Sequence, residues 1–154
     1  STGSFSSHIL RLFSVYGKGQ RDEFVVSKFI KQASSNKPLR IYGDGSQIRA
    51  FCHVSDVANA IKLCIQKSNK VVGTSILNIG NQKEPITIKS LALKILKLYN
   101  LDPEVYLQFI PLSKTIRGEK REIYRRTPSI SKAEKEIDYV PLTTLNKGLK
   151  EFID

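Results

Sequence analysis

The chain has 154 residues, the size of one domain, and carries 25 Lys and Arg against 14 Asp and Glu, a net charge of +11. Hydrophobic residues make up 40% and charged ones 25%, a globular balance that excludes intrinsic disorder, collagen-like repeats and low-complexity tails as the organising principle. No apolar run approaches the roughly 18–20 residues of a membrane span, and two cysteines, Cys52 and Cys64, are too few for a disulfide scaffold or a four-ligand zinc site.

Ser1-Thr2-Gly3-Ser4 leads into no long apolar stretch, so no secretory leader is expected. The cysteines read as free thiols in a reducing, cytoplasmic compartment. The chain contains no methionine and is therefore expected to be a piece of a longer protein. His8–Tyr16 is rich in apolar and β-branched residues and closes at Gly17-Lys18-Gly19, which predicts a strand and a turn. Asp22 then caps a predicted helix, with Phe24, Val25, Phe29 and Ile30 at helical spacing up to Ser34-Ser35-Asn36. Pro38–Tyr42 reads as a short strand ended by Gly43-Asp44-Gly45, and Arg49–Val54 as extended. Ser55 is the expected N-cap of a helix carrying Val57, Ala58, Ala60, Ile61, Cys64 and Ile65.

Ser75–Gly80 is a second candidate sheet strand. Thr87 caps the clearest helix, with Ile88, Leu91, Ala92, Ile95 and Leu98 on one face and Lys89, Lys94 and Lys97 elsewhere. Tyr106–Leu112 reads as a strand, and residues 113–128 as a polar, basic connection, mobile or ordered by a ligand. Short helices over Ser131–Glu136 and Leu142–Ile153 end the series, with no internal repeats. Strands alternating with helices predict an α/β fold.

The positive charge first suggests nucleic acid, but the Lys and Arg are scattered over many helix faces and read as solvated surface. Gly17-x-Gly19 and Gly43-x-Gly45 begin a dinucleotide fingerprint that neither completes, because Asp22 and Ile48 take the third glycine's place. No tyrosine is followed four residues later by lysine, so a Tyr/Lys proton-transfer pair is absent. His8 beside Ser7, and His53 near Ser55 and Asp56, lack a nucleophile elbow. His53 is expected to pack beside a helix start, with Asp56 serving the cap and dipole. Arg49, on an extended segment entering a helix, is able to present a planar fork to phosphate oxygens.

Three stretches then carry a likeness: Leu10-Arg-Leu-Phe-Ser-Val-Tyr-Gly17, Val25-Val-Ser-Lys-Phe-Ile30, and Pro38 through Arg49-Ala-Phe-Cys-His-Val-Ser-Asp-Val-Ala58. Leu77-Asn-Ile-Gly80, Arg126-Thr-Pro-Ser-Ile-Ser-Lys-Ala133, Tyr139-Val-Pro141 and Gly148-Leu149 follow in order. Over almost the whole chain this resembles the extended short-chain dehydrogenase/reductases of the NAD-dependent nucleotide-sugar epimerase/dehydratase family. Arg49-Ala50-Phe51 with Val54-Ser55-Asp56, and Val25-Val26-Ser27, are most similar to the UDP-glucuronate decarboxylases within it, since epimerases and dehydratases more often carry Asp after that arginine. Ser14 and Ser129 stand where the family commonly has Asn and Asp.

The resemblance implies that residues 1–154 form one unit, the C-terminal substrate-binding portion of an extended short-chain dehydrogenase fold, with the last strands of a Rossmann sheet. The glycine-rich NAD loop and the Tyr-x-x-x-Lys pair would lie outside this chain, which then holds no catalytic residue. Arg49 matches a diphosphate-binding arginine and Arg126, or its neighbour Arg125, a second; Tyr42 matches the wall of a nucleobase pocket. Val26 and Lys28 match the helix region that supplies backbone contacts to the nucleotide, and Ser14 the strand position facing the sugar nucleotide. The implied ligand is a nucleotide-diphosphate sugar, with UDP favoured, and neither nucleic acid nor membrane. In the intact enzyme NAD would oxidise a sugar carbon before epimerisation, elimination or decarboxylation. With most of that sheet outside the chain, the strands His8–Tyr16 and Ile76–Ile79 are expected to pair with another copy, giving a homo-oligomer. Two other readings remain at this point: a basic module binding RNA or another polyanion, and a sugar-nucleotide reductase on the same scaffold.

Overall fold

The computed structural model describes residues 6–67, 73–114 and 122–153, and groups of one to three strands are interspersed with helices along them in a mixed α/β chain. The expected leader-free start, residues 1–4, lies outside the described residues, as does 115–121 within the expected 113–128 connection. The first strand, β1 (Ser6–Leu12), runs parallel to β6 (Gly73–Ile79), with Leu10 opposite Leu77 and Leu12 opposite Ile79. Among the described residues β1 has no other strand partner, and Ile9, Leu12 and Ile76 are all 40% or more exposed.

The expected single strand His8–Tyr16 is in fact two. Phe13 N donates to Ile79 O (2.9 Å), Ser14 then takes a positive φ of 42°, and Ser14 O accepts from Cys52 N (3.1 Å). A side chain at positive φ cannot continue a β ladder, so β2 (Val15–Tyr16) leaves β6 and pairs in parallel with β5 (Cys52–His53).

Helix α1 (Val25–Ser34) buries Val26, Phe29, Ile30 and Ala33, an i, i+3, i+4, i+7 stripe. Asp22 is not its cap. Phe24 precedes the helix without a capping side chain, and Asp22 instead pairs with Lys31. In β3 (Leu39–Tyr42) Leu39 and Ile41 point into the core while Arg40 and Tyr42 are exposed, the strict alternation of a half-buried strand. Its parallel partner β8 (Leu107–Ile110) is shorter than the expected Tyr106–Leu112, because α4 (Pro103–Tyr106), capped by Asp102, takes up the residues before it. Thr87 caps α3 (Ile88–Leu98) as expected, accepting from Ser90 N (3.0 Å), and Leu91, Ala92, Ile95 and Leu96 are buried. These faces meet Leu145 and Leu149 of α6 (Leu145–Ile153) in the larger core.

A second core joins Cys52, Leu77 and Ile79 to α2 (Val54–Gln66) and α5 (Ser131–Ile137) through Val57, Ala60, Cys64, Ala133 and Ile137. Ser55 is not the N-cap of α2. That place belongs to His53, whose Nδ1 accepts from Ser55 N (3.4 Å) and lies 2.8 Å from Ser55 Oγ. Asp56 is buried and accepts from Leu142 N (3.0 Å) and Thr143 N (3.2 Å), so it ties down the segment entering α6. Thr144 Oγ1 then accepts from Lys147 N (3.3 Å) and Glu84 Oε2 from Leu145 N (2.8 Å), so α6 starts at Leu145 and not at Leu142.

Cys52 and Cys64 are both buried free thiols. Burial pushes the Cys52 thiol from its ordinary 9.0 up to about 11, and raises the Tyr16 and Tyr139 phenols as well. Each group is neutral when protonated, so the folded chain keeps protons that the unfolded chain sheds above pH 9. The resulting stability is complete below pH 9 and lost as pH rises through 11. Denaturant melts at increasing pH should lose about 2–3 kcal/mol to Cys52 alone, and Cys52→Ala should flatten that part of the slope.

Candidate functional site

A cleft of about 1260 Å³ opens between the Ser14–Gln20 turn, the start of α1, the end of β3 and strand β4 (Ile48–Ala50). Strand β4 is the middle of a three-stranded sheet, antiparallel to β7 (Pro85–Thr87) and parallel to β9 (Arg125–Arg126). Neither β7 nor β9 is foreseen from periodicity, since strands of three and two residues carry none. The register sets Arg126 opposite Arg49 and Arg125 opposite Ile48. Neighbours in register share a face, so Arg126 joins Arg49 in lining the cleft, whereas Arg125 is not among the lining residues. Of the two arginines that sequence left as alternatives, register brings Arg126 to Arg49.

Arg49 is held on two sides. Its Nη1 donates to Ile48 O (2.9 Å) and its Nη2 to Glu122 Oε1 (3.1 Å), and the Arg49 and Glu122 side chains are each only 14% exposed. Glu122 carries no signal in the sequence and lines the cleft beside Ile123. A second residue missed from sequence is Gln47, buried in the cleft wall, where its Nε2 donates to Tyr42 O (3.0 Å) and fixes the end of β3.

Tyr42 projects from the end of β3 into the cleft. Lys28, one turn into α1, places its Nζ 3.4 Å from the Tyr42 hydroxyl and 5.2 Å from the ring centroid. Val26 is buried at the start of the same helix and also lines the cleft, as does Ser14 at its strained turn. Six of the seven residues singled out from sequence therefore share one concavity: Ser14, Val26, Lys28, Tyr42, Arg49 and Arg126. Lys18, Arg21, Lys28, Arg40, Arg49 and Arg126 face Glu23 and Glu122 there, which makes the cleft electropositive. Such a lining concentrates anionic ligands.

Neither glycine pair forms a dinucleotide cradle. A Cβ on Gly17 would stand 2.5 Å from Val54 Cγ1, and one on Gly45 2.9 Å from Ile41 Cγ2 and Lys89 Cβ. The chain's own side chains fill the space at Gly17 and Gly45, whereas a Cβ on Gly19 would meet nothing within 4 Å. His53 packs edge-on to Tyr16 (5.3 Å between centroids), buried and outside the cleft lining.

Residues 1–80 match the sequence model described as the NAD dependent epimerase/dehydratase family. The chain is 29% identical over 147 residues to a UDP-glucuronate 4-epimerase of Thermodesulfobacterium geofontis, covering 95% of this chain and 42% of that protein. It is 31% identical over 148 residues to a UDP-N-acetyl-alpha-D-glucosaminuronate decarboxylase of Bacillus cytotoxicus, covering 94% and 44%. The crystal structure of the UDP-glucuronic acid 4-epimerase from Bacillus cereus, in complex with UDP-glucuronic acid and NAD, superposes with a TM-score of 0.81 at 30% identity, covering 94% of this chain and 43% of that one. The chain thus spans less than half the length of each relative.

Ser14 joins the two packing units at the cleft edge in a conformation that suits glycine. Ser14→Gly should melt at or above the temperature of the unaltered chain. Ser14→Val should cost about 1–3 kcal/mol, the usual penalty for a branched side chain held at positive φ, as read by chemical denaturation.

Proposed function

The chain belongs to the NAD dependent epimerase/dehydratase family, and we propose that it contributes the nucleotide-diphosphate-sugar-binding portion of a nucleotide-sugar epimerase, dehydratase or decarboxylase. Its α/β fold is that of the extended short-chain dehydrogenases. The observation that carries the reading is the pairing of Arg49 with Arg126 on adjacent strands facing one cleft. Two planar guanidinium groups side by side suit a diphosphate, whose oxygens accept charge-assisted and often bidentate hydrogen bonds. Tyr42 supplies an aromatic wall for the base at low entropy cost. Ser14 faces the cleft where the sugar nucleotide would continue, and Val26 and Lys28 flank the nucleotide from α1.

UDP is the favoured nucleotide because the relatives described above are named for UDP-sugars. Ala50 after Arg49 favours the decarboxylase branch. In this reading residues 1–154 act as one unit in the cytoplasm, and NAD and the proton-transferring pair are held by a half of the parent enzyme that is not in residues 1–154. What these residues contribute is grip: binding energy at the diphosphate and base, remote from the reacting carbon, that orients the sugar.

Titration calorimetry of the purified chain tests this. Arg49→Ala should weaken UDP binding by about 1.5–3 kcal/mol, roughly ten- to 150-fold, the range for hydrogen bonds to charged groups. Arg126→Ala should act in the same direction, and Arg125→Ala should leave the affinity nearly unchanged. NAD should show no tight binding to any of these proteins. Unaltered UDP affinity in the Arg49 variant would contradict the assignment.

A further inference from the structure

We propose that Glu122 is a built-in competitor for the anion site, its carboxylate and a ligand phosphate contending for the same guanidinium of Arg49. The inference rests on the cleft being a diphosphate site, as proposed above, and concerns a residue for which that reading has no role. Glu122 Oε1 lies 3.1 Å from Arg49 Nη2, close enough that a phosphate oxygen approaching that nitrogen from the cleft meets the carboxylate. The other carboxylate in the lining, Glu23, pairs with Arg21 at 3.4 Å, but those side chains are 64% and 72% exposed. Water screens such a rim pair strongly. At 14% exposure on each side, the Arg49–Glu122 pair is screened far less.

Glu122 is also tethered there. Three residues on, β9 pairs with β4, and Tyr124 O accepts from Ile48 N at 2.6 Å. The ladder that delivers Arg126 to Arg49 therefore delivers Glu122 with it, so Arg49 always comes with this anion beside it. A ligand phosphate binds Arg49 against that anion, by displacing it or by sharing the guanidinium with it. The carboxylate thereby sets how much negative charge a ligand must bring before the cleft holds it.

The test is a double-mutant cycle read by UDP calorimetry on the full chain, with uridine as the neutral control. Glu122→Gln keeps an acceptor of nearly the same shape for Arg49 and removes only the charge. It should tighten UDP binding by roughly tenfold, the scale of one charge-assisted hydrogen bond, and leave uridine unchanged. Glu122→Ala should tighten UDP as well. In an Arg49→Ala background the Glu122→Gln change should have almost no effect. Weaker or unchanged UDP binding in Glu122→Gln would overturn the proposal, because Glu122 would then orient Arg49 and not compete for it. Equal tightening in the Arg49→Ala background would overturn it too, by making the effect one of general charge. If the unaltered chain fails to bind UDP, the diphosphate reading and this inference fall together; if it binds and Glu122→Gln does not tighten it, this inference alone fails.

Discussion

Two arginines placed opposite each other on neighbouring strands repel, and the β4–β9 ladder places Arg49 and Arg126 so. The strands carry two like charges side by side, and their surroundings have to accommodate that repulsion. Glu122 offsets it from one side and the Ile48 carbonyl holds the Arg49 fork from another. Strand β9 consists of two residues, and its ladder bonds alone are weak. Its place beside β4 is extended by the bond from Ile48 N to Tyr124 O (2.6 Å). In the proposed function a diphosphate is the third partner, bringing two or more negative charges on adjacent groups to two adjacent cations.

The two cores explain why the arginines meet where they do. The larger core packs α1, β3 and α3 together and fixes Tyr42 and Lys28 on one wall of the cleft. The smaller core holds β5 and β6 against α2 and α5. Ser14 lies at the junction, passing the chain from β6 to β5 through a single left-handed residue. Asp56 performs a parallel task at the far end, where its buried carboxylate fastens residues 142 and 143 and so directs α6 onto the larger core.

Much of this was legible in residue order alone. The stripe on α3 with its Thr87 cap, the alternation in β3, and the extended segment that carries Arg49 towards α2 all declare themselves locally, because each depends on near neighbours in the chain. What escaped depends on partners far along the chain. A serine at positive φ has the same composition as a serine in a strand, so the break at Ser14 left no mark. His53 displaced Ser55 as the cap of α2 because its ring is held between Tyr16 and that helix, a contact set by tertiary packing. The choice between Arg125 and Arg126 is one of parity. Adjacent residues on a strand face opposite ways, and only the pairing of Ile48 with Arg125 says which faces the cleft. Glu122 becomes meaningful only once Arg49 is beside it.

The central claim is that Arg49 and Arg126 hold one diphosphate together. It is tested most directly by following the arginine side-chain Nε–Hε resonances of the chain in solution while UDP is added. The account predicts that the Arg49 and Arg126 signals shift together along one binding curve, with uridine moving neither and the Arg125 signal staying in place. Shifts confined to one of the two arginines, separate curves for each, or a response at Arg125 in place of Arg126 would contradict it.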